Sequence, residues 1–352
     1  MEPEGRLRTA RHDDGRERRH RAKSPRQAVE PVPVALVTGI SGQDGSYLAE
    51  SLLADGYEVH GVVRNATEEN LRTLGDPSNL TLHSTELLAP DALENLVREV
   101  RPDELYSLAA VSSVAASWSS PVETGAINGQ VVVRLLDAAF RLQEDGHPVR
   151  VLHASSAEIF GQAAETPQVE TTAISPSSPY GASKAYAHLS VGVFRQRGLH
   201  ASNTVLYNHE SPRRPENFVT RKITASVARI SRGLQHGIEL GNLDARRDWG
   251  WAPDYVNAMR LAVAAPEAGD FIVASGVSHT ISDFLAAAFG HVGITDWEGL
   301  VSVNPEFVRP VDPAEQLGDA SKARRELGWQ PTVDFETLVA RMVEHDLELL
   351  GG

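Results

Sequence analysis

The stretch Tyr180-Gly181-Ala182-Ser183-Lys184 places a phenol and an ammonium four residues apart, hence on one face of a helix, where the cation can stabilise a phenolate. A free tyrosine, with a pKa of about 10, is a poor base at neutral pH, and neighbouring positive charge is what makes it usable. Upstream, Ser156-Ala157-Glu158 brings a hydroxyl and a carboxylate together behind an apolar run. Each group alone has an ordinary explanation. A Tyr and Lys four apart also describes an exposed helix pair, and Glu158 also describes a strand-end glutamate paired with an arginine.

A third stretch, Thr38-Gly39-Ile40-Ser41-Gly42-Gln43-Asp44-Gly45, follows the apolar Val34 to Val37 and precedes the amphipathic Tyr47 to Ala54. Strand, glycine turn and helix in that order make an anion site: free N–H groups and the positive end of the helix dipole point at a diphosphate. Gly39 makes the turn, Gly42 lets the backbone approach the phosphates, and Gly45 lets the helix pack close. A second strand, Tyr57 to Arg64, ends on a cation. An acidic residue at that place holds the ribose of NAD, whereas an arginine suits the 2′-phosphate of NADP, so Arg64 points to NADP. A surface arginine after a strand is the bland alternative.

The elements that must position these groups alternate. Strands are expected at Leu80 to His83, Glu104 to Ala110 and Val149 to Ser155, and helices at Asp91 to Val100 and Asn128 to Arg141. Pro176 and Pro179 turn the chain into a helix starting near Tyr180. That alternation predicts an α/β fold, a Rossmann-type parallel sheet with helices on both faces. Ligands on such sheets sit beyond the carboxyl ends of the strands, where Gly39, Ala110 and Ser156 all fall. A smaller C-terminal substrate-binding lobe follows, closing over the ligand. Residues 33–207 are the expected dinucleotide-binding domain and 208–352 mainly the second lobe, with Phe271 to Ser275 a strand that can rejoin the large sheet.

Composition sets limits. The chain has 352 residues and no cysteine, which excludes disulfides, thiolate metal sites and a cysteine nucleophile. Residues 1–32 form an expected disordered extension, with nine Arg or Lys against six Asp or Glu in the first 30 and almost no large apolar residues. A nucleic-acid arm is the sharper reading of that segment and a solvated extension the plainer one. The net charge of −14 leaves −17 outside it, which argues against nucleic acid as a partner. Leu105 to Val122 is uncharged, but it is rich in Ser and Ala and runs into Pro121, so no membrane span is expected and a cytoplasmic protein is.

The glycine turn with its Ser, Tyr and Lys set resembles the extended short-chain dehydrogenase/reductase family. Longer strings narrow this. Tyr207 to Arg214, Asn217 to Ile223, Gly241 to Gly250 and the opening Gly39 to Leu48 are similar to GDP-mannose 4,6-dehydratases, over residue 33 to the end. The candidate cofactor set under this resemblance is Gly39, Gly42, Gln43, Asp44, Gly45, Arg64, Glu86, Leu87 and Ala109, together with Tyr180 and Lys184. The candidate substrate set is Ser112, Asn208, Asn217, Val219, Lys222, Arg247, Arg309 and Asp312, and no metal is expected. Within it the resemblance gives Lys222, Arg247 and Arg309 to the diphosphate, Asn208 to the sugar and Asp312 to the nucleoside ribose. Guanidinium groups suit phosphate oxygens on their own chemistry as well.

The resemblance implies NADP as cofactor, a GDP-sugar as substrate and a homo-oligomer; the family's longer loop after the arginines helps form tetramers, and the short loop here makes a dimer the expectation with a tetramer as the alternative. It further implies that Tyr180 takes the proton of the sugar's C4 hydroxyl as hydride passes to the nicotinamide. Ser156 bonds that oxygen, and Lys184 tunes Tyr180 and holds the nicotinamide ribose. Glu158 then removes the C5 proton, water leaves C6, the hydride returns there and a proton returns to C5. A plain dehydrogenase needs no carboxylate at that place.

Three departures from the family's pattern stand out. Ala157 replaces a Ser, Asn65 follows Arg64 where a second arginine and a longer loop are usual, and Val111, Ser113 and Trp251 replace Gln, His and His. They leave two rival functions: a GDP-sugar dehydratase or epimerase for another sugar, and a non-catalytic NADP-binding regulatory module. The joint presence of Ser156, Glu158, Tyr180 and Lys184 speaks against the second.

Overall fold

The uninterrupted apolar run Val34-Ala35-Leu36-Val37 demands cover on both faces, and the fold supplies it. In strand β1 (Val34–Thr38), Ala35 and Val37 join one buried cluster while Leu36 joins another on the opposite face. The computed structural model describes residues 32–63, 78–307 and 311–351, so Arg64, Asn65, Arg309 and the extension 1–31 lie outside the described residues.

Along the chain β1 leads through a glycine turn into α1 (Gln43–Ala54), then β2 (Glu58–Val63), β3 (Leu80–Ser84), α2 (Ala92–Val100) and β4 (Glu104–Ser107). Two short helices, α3 (Val114–Ser119) and α4 (Pro121–Gly125), precede a π-helical stretch at Ala126–Gln130 and α5 (Val131–Glu144). Then come β5 (Arg150–Ser156), α6 (Pro179–Gln196) and β6 (His200–Leu206). The second half holds β7 (Asn208–Glu210), α7 (Val219–Ser231), β8 (Ile238–Leu240), β9 (Arg246–Trp251), α8 (Ala252–Ala264) and β10 (Asp270–Val273). After these lie β11 (Ser278–Thr280), α9 (Ile281–His291), β12 (Val301–Val303), β13 (Glu315–Gln316) and α10 (Phe335–Leu349).

Among the described residues, seven strands form one sheet in the order β10-β6-β5-β4-β1-β2-β3, every neighbouring pair parallel. Leu48 and Leu52 of α1 with Val256 and Met259 of α8 cover one face, and Leu93 of α2, Leu135 of α5 and Val191 of α6 cover the other. From β1 the chain first runs outward to β2 and β3, then crosses back to β4. This switch opens a crevice beyond Thr38 and Ser107, which are paired in register.

Two expected elements differ in extent. Strand β4 stops at Ser107 because the N–H groups of Leu108 and Ala109 turn to the Thr38 hydroxyl, at 3.2 and 3.3 Å. The loop that follows is held by Asn128, whose side chain accepts from Val111 N–H at 2.8 Å and donates to Val111 C=O at 3.1 Å. The helix expected at Asn128 to Arg141 begins as the π-helical stretch and runs on to Glu144. No helix among the described residues is long and apolar enough to cross a membrane.

A second sheet is built around β9, which pairs with β11, β13 and β7. Its buried rings, Trp249 with Phe284 at 5.4 Å and Phe335 at 6.1 Å, anchor α9 and α10. Strand β7 continues β6 after the single residue Tyr207, so the polypeptide passes from the large sheet straight into the small one.

Candidate active site

The glycine turn sits at the head of the crevice. Gly39 has φ +74°, and a Cβ on it would stand 2.8 Å from Ala109 Cα, so Ala109 packs directly on the turn. Gly42 is the N-cap of α1, and no side chain caps that end among the described residues. Its N–H groups therefore face the crevice with the helix dipole behind them.

Gln43 and Asp44, on the first turn, tie this end to β7. The Gln43 amide donates to His209 C=O at 3.1 Å and accepts from the Ser211 hydroxyl at 2.8 Å. Asp44 meets His209 Nε2 at 2.9 Å, while Nδ1 of the same ring lies 2.7 Å from Tyr207 C=O. An acceptor at each ring nitrogen favours the doubly protonated imidazole. Burial opposes that charge, but Asp44 outweighs it and His209 is held above its ordinary pKa. Burial likewise opposes the charge of Asp44, and His209 foremost, with Gln43 and Arg214, keeps it below the usual carboxylate range.

A cavity of about 1100 Å³ runs from this point between the two sheets. Ser156, Glu158, Tyr180 and Lys184 all line it. Ser156 closes β5 and its hydroxyl accepts from Glu158 N–H at 3.2 Å, which fixes the short turn carrying the carboxylate. Helix α6 starts at the prolines' bidding: Pro179 is its first residue, and Ser178 caps it by accepting from Gly181 N–H at 3.0 Å. Burial pushes the Tyr180 phenol up to about 12; a hydrogen bond with Ser156 and the charge of Arg214 pull it down, and Glu158 and Asp44 push it further up. Glu158 and Tyr180 thus feel one another across the same space. Burial also drives the Lys184 ammonium down to about 7, against the pull of Asp44, and that ammonium donates to the carbonyl of Ala154.

Further along the cavity lie Ser112, Asn208, Asn217, Val219, Lys222, Arg247 and Asp312. Asn208 opens β7, at the junction of the two sheets. Lys222 donates to Glu239 C=O at 2.7 Å and stands 4.3 Å from the centre of the Phe307 ring. Arg247 and Asp312 are bonded to each other at 2.6 Å, so a phosphate there would share the guanidinium with a carboxylate. Gly39, Gly42, Gln43, Gly45 and Ala109 form the turn itself rather than the cavity wall. Glu86 lies apart, on a shallow cleft with His83 and Asn95, and Leu87 packs on the core beneath α2 and α5. Among the described residues no group of three or more His, Asp or Glu is placed to hold a metal.

His209 has no role in the sequence pattern, and Arg214 counts there only as one of several arginines beyond the sheet whose guanidinium groups suit phosphate. Both line the cavity, and Arg214 lies 3.7 Å from the Phe218 ring centre with its Nε 3.2 Å from Glu210. The signal available was a histidine and two arginines just past a strand end in an acidic chain.

A family model described as GDP-mannose 4,6 dehydratase matches residues 36–342. The chain belongs to the GDP-mannose 4,6-dehydratase family. GDP-mannose 4,6 dehydratase 1 of Arabidopsis thaliana is 46% identical over 332 residues, 91% of each chain. The human GDP-mannose 4,6 dehydratase is 42% identical over 349 residues, covering 91% of this chain and 93% of that one. Among solved structures, the dTDP-glucose 4,6-dehydratase DesIV of Streptomyces venezuelae, with NAD and TYD bound, superimposes with a TM-score of 0.79 at 25% identity, over 90% of this chain and 98% of that one. The cavity of this chain is lined by Ala157 and by three further small residues, Ser112, Ser113 and Ala115.

Proposed function

We propose that this protein is a cytoplasmic GDP-mannose 4,6-dehydratase that converts GDP-mannose to GDP-4-keto-6-deoxy-mannose with a resident NADP. The observation that carries the reading is a hydroxyl, a carboxylate, a phenol and an ammonium, from Ser156, Glu158, Tyr180 and Lys184, lining one cavity. A carboxylate in the same cavity as the phenol separates dehydration from simple oxidation.

A dinucleotide fits the residues present. The uncapped helix end at Gly42 offers N–H groups to a diphosphate, and Lys184 faces the cavity where a nicotinamide ribose would lie. When bound, an oxidised nicotinamide supplies an acceptor for the C4 hydrogen and a positive charge that favours the phenolate. NADP rather than NAD rests on Arg64, which follows β2 in sequence.

Tyr180 accepts the C4 hydroxyl proton, and Ser156 holds the oxygen it leaves. The C4 carbonyl makes the C5 proton acidic, and Glu158 takes it. Ala157 has no proton to give, so the C6 hydroxyl leaves as water with the proton Glu158 has gathered; C6 would then take back the hydrogen held at the nicotinamide and C5 a proton, returned from Tyr180 or water, so that both residues end as they began. We read residues 33–207 as the cofactor half and 208–352 as mainly the sugar-nucleotide half, with α8 and β10 returned to the large sheet. Lys222, Arg247 and Arg309 are assigned to the diphosphate, Asp312 to the nucleoside ribose. A homo-oligomer, a dimer first, is supported by Tyr186, Leu189 and Val193, an apolar row exposed along α6.

The test is incubation with GDP-mannose, followed by NMR for a new C6 methyl doublet and a hydrated 4-ketone. Absence of both would overturn the reading. The small residues Ser112, Ser113 and Ala115 favour, as a second reading, a GDP-sugar dehydratase or epimerase for another hexose. A panel of GDP-hexoses separates the two.

A further inference from the structure

We propose that Ser117 is a positioning residue that sets the height of Tyr180 in the cavity and links it to the wall the sugar touches. The proposal rests on the reading of Tyr180 as the proton acceptor at C4. Helix α6 must find partners for the N–H groups of its first turn. Pro179 has none, Gly181 and Ala182 donate to the hydroxyl and carbonyl of Ser178, and only the N–H of Tyr180 reaches outside the helix. It donates to Ser117 Oγ at 3.2 Å.

Ser117 is fully buried, and its own proton goes to Val114 C=O at 2.6 Å. The hydroxyl is thereby oriented with a lone pair toward Tyr180. Ser117 lies on α3, whose Val114, Ala115 and Trp118 line the cavity. One short helix therefore both lines the substrate space and holds the backbone of Tyr180. Loss of the Ser117 hydroxyl leaves a buried N–H without its partner and frees the first turn of α6. The phenol then loses registration with Ser156, the hydrogen bond that lowers its pKa. A misplacement of about 1 Å at a reacting group can cost about 100-fold in rate.

The experiment uses the cofactor-loaded full chain with Ser117→Ala, and Tyr180→Phe as control. The expected result is a kcat about 10- to 100-fold lower with KM and cofactor Kd within about twofold, as a lost orientation rather than lost binding requires. The Tyr180 ring-carbon resonance, assigned through Tyr180→Phe, should titrate at higher pH in Ser117→Ala than in the parent. An unchanged Tyr180 titration, or a fall in kcat that only tracks a fall in melting temperature, overturns the proposal. If Tyr180→Phe stays active, the reading of Tyr180 itself fails; if it is dead while Ser117→Ala behaves as the parent, only the role of Ser117 fails.

Discussion

Two alanine substitutions three residues apart on the glycine turn should have opposite effects, because the space around the two glycines differs. A Cβ on Gly45 would lie 2.2 Å from Gly39 C=O and 2.6 Å from Ile40 Cα, both backbone atoms of the turn. Neither can move aside without displacing β1 or α1, by about 1 Å if ordinary contact is to be restored. Overpacking of this kind costs about 3 kcal/mol, or about 4 °C of melting temperature in a chain of this size. A Cβ on Gly42 meets only Gly39 C=O, at 3.2 Å, which a shift of a few tenths of an ångström relieves. Gly42→Ala should therefore melt within about 2 °C of the parent, since less than about 1 kcal/mol is at stake. Its methyl group nevertheless stands at the helix end where phosphate oxygens would approach the N–H groups. Loss of one or two charge-assisted hydrogen bonds, at about 1.5–3 kcal/mol each, predicts at least ~10-fold weaker cofactor binding. Thermal melts and calorimetric titration with NADPH read the two quantities separately. Parental affinity in Gly42→Ala would refute a diphosphate seated over this helix end, whatever the stability of Gly45→Ala.

Replacing Glu158 by Gln should leave cofactor affinity unchanged and reduce water loss at least ~1,000-fold, seen as absence of the C6 methyl doublet; parental turnover would remove Glu158 from the mechanism. Tyr180→Phe should abolish the transient absorbance of reduced nicotinamide when substrate is added, and a normal rate there would refute proton removal by the phenol. In Asp44→Asn the pair with His209 is broken, which costs about 3 kcal/mol for a buried pair. The sign with pH differs for the two partners. His209, raised in the fold, contributes fully below its unfolded pKa of about 6.5 and loses that contribution as pH rises through its folded value. Asp44, lowered in the fold, contributes above about 3.8 and loses its share as pH falls through its folded value. Denaturation of parent and variant across pH should show the widest gap between about pH 4 and 6.5, narrowing on the alkaline side.

The parallel sheet was legible because local pattern carries it: Val34 to Val37 is apolar on both faces, and Val151 and Leu152 of β5 likewise split between the two buried clusters. The turn was legible for the same reason, since only glycine tolerates the φ of Gly39 or the crowding at Gly45. Features set by residues far apart in the chain were not. Asp44 and His209 are 165 residues apart, Arg247 and Asp312 65, and Ser117 and Tyr180 63. Helical spacing rightly puts Tyr180 and Lys184 on one face, yet it is silent on the carbonyl of Ala154, which accepts a hydrogen bond from the ammonium. Strand β4 ends early for a similar reason: the Thr38 hydroxyl that captures Leu108 and Ala109 belongs to a neighbouring strand.

The passage from β6 to β7 through Tyr207 alone has a mechanical consequence. A hinge needs a few residues free to change φ and ψ. Tyr207 is 1% exposed, and its hydroxyl is bonded to Gln168 at 2.8 Å. Arg213, just past β7, further bolts the small-sheet side of the chain to Ser46 and Glu50 of α1, at 3.1 and 2.5 Å. A clamshell swing between the halves would break these bonds, so nucleotide-sugar traffic should depend on segments at the cavity's rim, and product escape should be as fast as those segments part.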